Sequence, residues 1–189
     1  MSLVKGTDPR LLTVCKAVDF NELETDPYIL VEMLQAMRIQ GGGIGFSAPQ
    51  MGWDIRLIVI GSPAGAPSEE NPEGDLNERD SEFDQCFFNP EITEYSDKEV
   101  YMVEGCLSFP NLFIKIKRPE WIEVKWQTEE GSDVHEKCGG LTARVIQHEV
   151  DHLDGILYQT RANRYHLEKA KKELDKLTRM RKKNVSGDY

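Results

Sequence analysis

The sequence predicts an α+β fold. Three observations carry that expectation: strand-like segments come in runs, helical segments are few, and no internal repeat is present. The first helix is expected after Thr25-Asp26-Pro27, where Asp or Thr can cap and Pro suits the first turn. Leu30, Met33, Leu34 and Met37 then recur at helical spacing, and three glycines at 41–43 stop the helix. Residues 56–60 read as a buried strand, and 100–103, 112–117 and 121–126 as further strands. The last two alternate apolar and polar residues, as half-buried antiparallel strands do. A helix is expected over 142–153, ending at Gly155. A final helix is expected over 162–181, with Leu167, Ala170, Leu174 and Leu177 on one face.

The chain has 189 residues, 39% of them apolar and 8% aromatic, which suits one domain with a real core over 1–189 and excludes a wholly disordered chain. No apolar run exceeds four residues, as at 57–60, so no membrane-spanning helix is expected. Residues 1–8 lack the long apolar stretch of a secretory signal. Four cysteines without a secretory context point to a reduced, cytoplasmic setting, where pairing is not expected.

A net charge of −10 argues against a general nucleic-acid binder, but that charge is unevenly spread. Residues 62–85 hold eight acids and one base, with three prolines and two glycines, and read as an acidic surface insertion. Residues 161–183 hold ten bases and three acids, so the last helix, placed at 162–183, is basic.

The segment Gln147-His148-Glu149-Val150-Asp151-His152 is an H-E-x-x-H pattern inside an expected helix. Residues four apart share a helix face, so both imidazoles can reach one metal while Glu149 points at its open position as a general base. A catalytic site of this kind usually takes a third protein ligand. The metzincin arrangement fails, because Tyr158 stands where its third His would be. Glu168 and Glu173 are at conceivable distances, yet Glu–Lys pairing on a solvated helix explains them more simply. The remaining candidate is Cys106, directly after an expected strand, and a thiolate is a strong ligand for a borderline or soft metal. Cys15, Cys86 and Cys138 read as small apolar residues. Glycine-rich residues 41–45 would let backbone approach a ligand closely, although no phosphate-loop pattern follows.

Three segments in order resemble the peptide deformylase family. They are Gly43-Ile44-Gly45-Phe46-Ser47-Ala48-Pro49-Gln50, then Glu104-Gly105-Cys106-Leu107-Ser108, then 147–153. The first departs from the family pattern G-φ-G-φ-A-A-x-Q by having Ser47 in place of an Ala. The resemblance implies antiparallel sheets packed around the H-E-x-x-H helix, followed by a C-terminal helix. It implies Cys106, His148 and His152 as metal ligands and Glu149 as general acid/base. Gln50 and the backbone N–H of Leu107 would stabilise the oxyanion. Gly43, Ile44, Gly45 and Gly105 would border the substrate, with Leu141 and Val145 in the pocket for its methionine side chain. The implied cofactor is one divalent ion, natively Fe2+, with Zn2+, Ni2+ or Co2+ able to replace it. The implied reaction removes the N-formyl group from the initiator methionine of nascent chains, releasing formate. Docking of the basic final helix on the ribosome is a further implied partner. Glu104, Gln147 and Asp151 are candidates to hold a ligand by hydrogen bonding. An endoprotease lacking the Cys106 ligand and a non-catalytic ribosome-associated protein are the rival readings. The latter would have no need of Glu149.

Overall fold

The computed structural model describes residues 3–61 and 84–185. Helix α1 (Pro27–Gln40) starts where its signals place it, with the Asp26 carboxylate accepting from the Tyr28 N–H at 2.9 Å. It ends in the glycine run, where Gly42 takes a φ of +68°. Strand β1 (Gly45–Ser47) leads through a 3-10 turn, Ala48–Met51, to β2 (Leu57–Ile60). Then follow β3 (Gln85–Tyr95), β4 (Glu99–Cys106), β5 (Phe109–Pro119), β6 (Trp121–Gln127) and β7 (Asp133–Gly139). Helices α2 (Gly140–Leu153) and α3 (Arg164–Val185) close the chain.

The strands form an antiparallel five-stranded sheet in the order β1-β2-β3-β6-β7 and a separate β4–β5 hairpin. Burial explains the uninterrupted apolar run of β2: Ile58 and Ile60 pack toward α2 with Phe87, Val124 and Ile146, while Leu57 and Val59 pack toward α1 with Leu34 and Phe88. The inward residues of β5, Leu112, Ile114 and Ile116, form a third core with Tyr158 and with Ala170 of α3. The fold is therefore the expected α+β arrangement, with α2 between the sheet and the hairpin.

Several elements depart from the sequence reading. β3 and β7 were not expected. Asn89-Pro90 reads as a turn, yet it sits in a bulge of β3, with Asn89 at a φ of +50°. The Asn89 side chain replaces the broken ladder: its Oδ1 accepts from Val18 N at 2.7 Å and its Nδ2 donates to Val18 O at 2.9 Å. β7 has only Val134 and Cys138 as half-buried apolar residues, too sparse for a strand signal. On α3 the packed stripe ends at Leu174, because Leu177 is 47% exposed. Of the expected acidic insertion at 62–85, residues 62–83 lie outside the described residues. Its last two belong to the framework: Asp84 pairs with Arg38 at 2.6 Å, and Gln85 opens β3 opposite Ile60.

Gly155 ends α2 with a φ of +68°, and a Cβ there would lie 2.7 Å from the Leu12 carbonyl carbon. Gly155→Ala should therefore cost about 3 kcal/mol, from left-handed strain plus the backbone clash, read as a lower denaturation midpoint at unchanged slope.

Candidate active site

Helix α2 turns His148 and His152 to one side, toward the end of β4 that carries Cys106. The three ligand atoms lie within 4.8 Å of one another, and Cys106 Sγ is 3.2 Å from His152 Nε2. Glu104 engages His148 Nδ1 at 2.9 Å, which leaves Nε2 for the side facing Cys106. Two imidazoles and a thiol suit a borderline divalent ion. The electrostatics agree. Burial opposes a charged His148, yet Cys106 and Glu104 outweigh it and push this imidazole well above its ordinary range. His152 differs: burial and the neighbouring His148 hold it well below the ordinary value, as a neutral donor.

Glu104 is the anchor of a buried charge network. Arg118 donates to both of its oxygens, at 2.7 and 3.0 Å, and Arg144 donates at 2.9 Å. Burial would raise this carboxyl, but His148 and Arg118 overcome that and hold it at about 2. Arg118 also reaches Asp151 at 2.6 Å, and Arg161 pairs with the other Asp151 oxygen at 2.6 Å. Of the three candidates for orienting a ligand, Glu104 does so. Asp151 is buried in the arginine network, and Gln147 donates to the Pro119 and Ala143 carbonyls. Glu168 and Glu173, the alternative third ligands, pair with Arg164 and Lys169 on the surface of α3.

A cavity of about 500 Å³ opens on this site. Gly43, Ile44, Gly45, Gly105, Leu141 and Val145 all line it, as do Gln50, Leu107 and Glu149. Glu149 is 5% exposed, burial raises its carboxyl above the usual range, and its Oε2 has no hydrogen-bond partner among the described residues. It lies against β1 so closely that a Cβ on Gly45 would come within 2.7 Å of its Oε1 and 2.5 Å of Val145. Gln50 is fixed by Ser47, whose N–H and hydroxyl both donate to its Oε1 at 3.0 Å. Its amide nitrogen thereby faces Cys106 Sγ at 3.6 Å and Ser108 Oγ at 3.3 Å.

Sequence reading missed Arg118, Arg161 and the bracing role of Ser47, and it placed Arg144 near the pocket without its partners. Arg118 had a signal: it occupies the inward phase of β5 after Leu112, Ile114 and Ile116. A cation in the apolar phase of a strand needs a buried anion, and Glu104 is that anion. Arg144, a charged residue in an otherwise apolar pocket wall, turns its guanidinium away to Glu104, Val100 O and Ile116 O.

Two histidines of an H-E-x-x-H helix facing a cysteine at a strand end, with a buried carboxylate beside them in a cavity, define a metal-dependent hydrolase. A family model described as polypeptide deformylase matches residues 1–168. The peptide deformylase of Dictyoglomus turgidum is 40% identical over 162 residues, covering 86% of this chain and 92% of that protein. A solved structure of an Arabidopsis thaliana peptide deformylase 1B variant superposes with a TM-score of 0.78 at 31% identity, covering 98% of this chain and 93% of that one. A structure of the Acinetobacter baumannii class I type b enzyme bound to Met-Ala-Ser gives 0.72 at 31% identity, covering 85% and 97%. The chain belongs to the peptide deformylase family, and its activity is hydrolytic removal of the N-formyl group from peptides.

A carboxylate held at about 2 contributes stability that is complete above its unfolded value of 4.5 and is lost as pH falls between the two. In metal-stripped protein Glu104→Gln should remove about 3 kcal/mol at neutral pH and flatten the stability profile between pH 4.5 and 2. Parallel profiles in denaturant titrations would contradict this account of Glu104.

Proposed function

We propose that Cys106, His148 and His152 hold one divalent ion, natively Fe2+, with Zn2+, Ni2+ or Co2+ as replacements. Glu149 would move the proton as the formyl group of a nascent chain is hydrolysed. The observation that carries this reading is the convergence of the ligand cluster, Glu149 and the Gln50 amide on one cavity. Such an ion supplies Lewis acidity, lowering the pKa of water toward neutrality so that a nucleophile exists at ordinary pH. Glu149 would accept the proton of the attacking water and deliver it to the leaving amine. As the formyl carbon becomes tetrahedral, its oxygen gains negative charge. The Gln50 N–H₂ and the Leu107 N–H are the donors for that charge. Gln50 is suited to this because Ser47 leaves its amide only one orientation.

The substrate lies along the free edge of β1. Gly61 N–H donates to the Ile44 carbonyl at 2.9 Å, so the ladder's alternation turns the N–H and C=O of Gly45 to the other side, toward the cavity. An extended peptide can pair with them there, which places its first side chain against Leu141, Val145 and the stem of Arg144. We place the reaction in the cytoplasm, in one catalytic unit.

The deciding experiment is anaerobic purification, metal analysis and a formate-release assay on a formyl-Met peptide. Formate is expected from protein holding ferrous iron or nickel. Its absence with metal bound would overturn the reading. Glu149→Gln should keep the metal and lose about 10²–10⁴-fold in kcat, and Gln50→Ala about 10²–10³-fold. Air should inactivate the ferrous enzyme faster than the nickel form, because iron and thiolate both oxidise.

The ribosome is proposed as the partner of α3. Its apolar side is spent on the hairpin core, while Lys172, Lys176 and Arg179 face solvent on the other. Truncating the helix would uncover Ala170, so charge reversal is the cleaner probe. Reversing those three residues should abolish salt-sensitive ribosome co-sedimentation and leave formate release unchanged. Undiminished binding would remove α3 as the docking element.

A further inference from the structure

The largest fully buried side chain in the described residues belongs to Arg38, which the chemistry above does not use. It lies near the C-terminal end of α1 and is 1% exposed. Burying a guanidinium is costly, and an apolar residue would end a helix there as well. Its bonds indicate what it does. Nη1 donates to the Gly43 carbonyl at 3.1 Å, and the Arg38 carbonyl accepts from the Gly43 N–H at 2.9 Å. One residue therefore holds both backbone groups of Gly43. Nε donates to Gln35 Oε1 at 2.6 Å, and Gln35 donates onward to the Ile60 carbonyl at 3.3 Å. Nη2 reaches Asp84 Oδ1 at 2.6 Å. Gly61 completes the packing, since a Cβ there would lie 2.4 Å from Nη2 and 2.0 Å from Asp84 Oδ1. On its far side the glycine loop meets Leu107, whose Cδ1 is 2.5 Å from a Cβ built on Gly41 and 3.0 Å from one on Gly43. The loop is thus held between Arg38 and Leu107, two residues before the open edge at Gly45.

We propose that Arg38 is a positioning residue for substrate binding: it fixes Gly43, and with it the β1 edge, while Asp84 fixes Arg38. The fork geometry matters, because a planar guanidinium serves Gln35, Gly43 and Asp84 at once and an ammonium cannot. Through Gly61 and Asp84, both flanks of residues 62–83 are keyed to the same edge. Substrate affinity should therefore depend on this contact, although none of its side chains touches the reacting atoms.

The inference rests on the reading of β1 as the substrate edge, so the test separates the two. Binding of Met-Ala-Ser, and of the same peptide N-methylated at its alanine or at its serine amide in turn, is measured by calorimetry on metal-loaded wild type. Methylation removes a backbone donor and should weaken binding at the amide that faces the edge. Equal affinities would sink the edge reading and this inference with it. Arg38→Lys should weaken Met-Ala-Ser about tenfold and raise KM for the formylated peptide to match, with kcat within about twofold and metal content unchanged. Asp84→Asn, which keeps the fold's buried cation, should give a smaller shift of the same kind and decides the matter if Arg38→Lys does not fold. Combined with Arg38→Lys it should add nothing, as members of one chain of contacts do. Variants that bind as wild type and lose only thermal stability would make Arg38 a purely structural residue. A fall in kcat at unchanged KM would also overturn the proposal.

Discussion

The carboxylate of Glu104 is the point through which the two parts of the fold are joined. It comes from the hairpin and is held by Arg118 of the hairpin, Arg144 of α2 and His148 of α2. Each of these groups would be costly to bury alone, and each satisfies another. The same bonds orient the His148 ring toward Cys106. Removing Glu104 would leave two guanidinium groups short of an anion and one imidazole without its orienting partner. Ligand geometry and tertiary docking are thus one constraint, and Asp151 extends it by joining Arg118 to Arg161 beyond the helix end.

The substrate side is built on a different principle, the removal of side chains. Glu149 and Val145 press against β1 at a distance that leaves no room for a Cβ on Gly45. Gly41 and Gly43 admit Leu107 in the same way. Close approach lets a buried carboxylate, a strand edge and an amide face one small volume, while the sheet behind them supplies stiffness through Phe46, Val59 and Phe88.

The site was legible in the sequence because its chemistry needs particular residue types at short spacings. His148, Glu149 and His152 lie within one helical turn and a half, and Cys106 ends a strand in a five-residue motif. α1 was legible from its cap and glycine stop, α2 from the stop at Gly155, and α3 from its apolar spacing. What stayed hidden depends on contacts made across long stretches of chain. β3 carries a turn-like Asn-Pro that tertiary hydrogen bonds from Val18 accommodate. β7 is stabilised mainly by its ladder to β6, which leaves little trace in hydrophobicity. Arg118 stands among Lys115 and Lys117, and only the strand's phase shows that it points inward. Leu177 shows the reverse error: its helical spacing is right, but it stays half exposed beyond the packed stripe that ends at Leu174.

Cys106 meets His152 across 46 positions, and Glu104 meets His148 across 44. Such separations have a consequence for when the enzyme comes into being. A polypeptide is made from its first residue onward, so Gln50 and Cys106 exist well before the helix that completes their site. Neither half can hold an ion in this geometry alone, and Arg161, added later still, joins Arg118 on Asp151 of α2. Metal binding in this geometry therefore has to wait for α2, and an ion held by all three residues would certify that the chain has been made at least through His152.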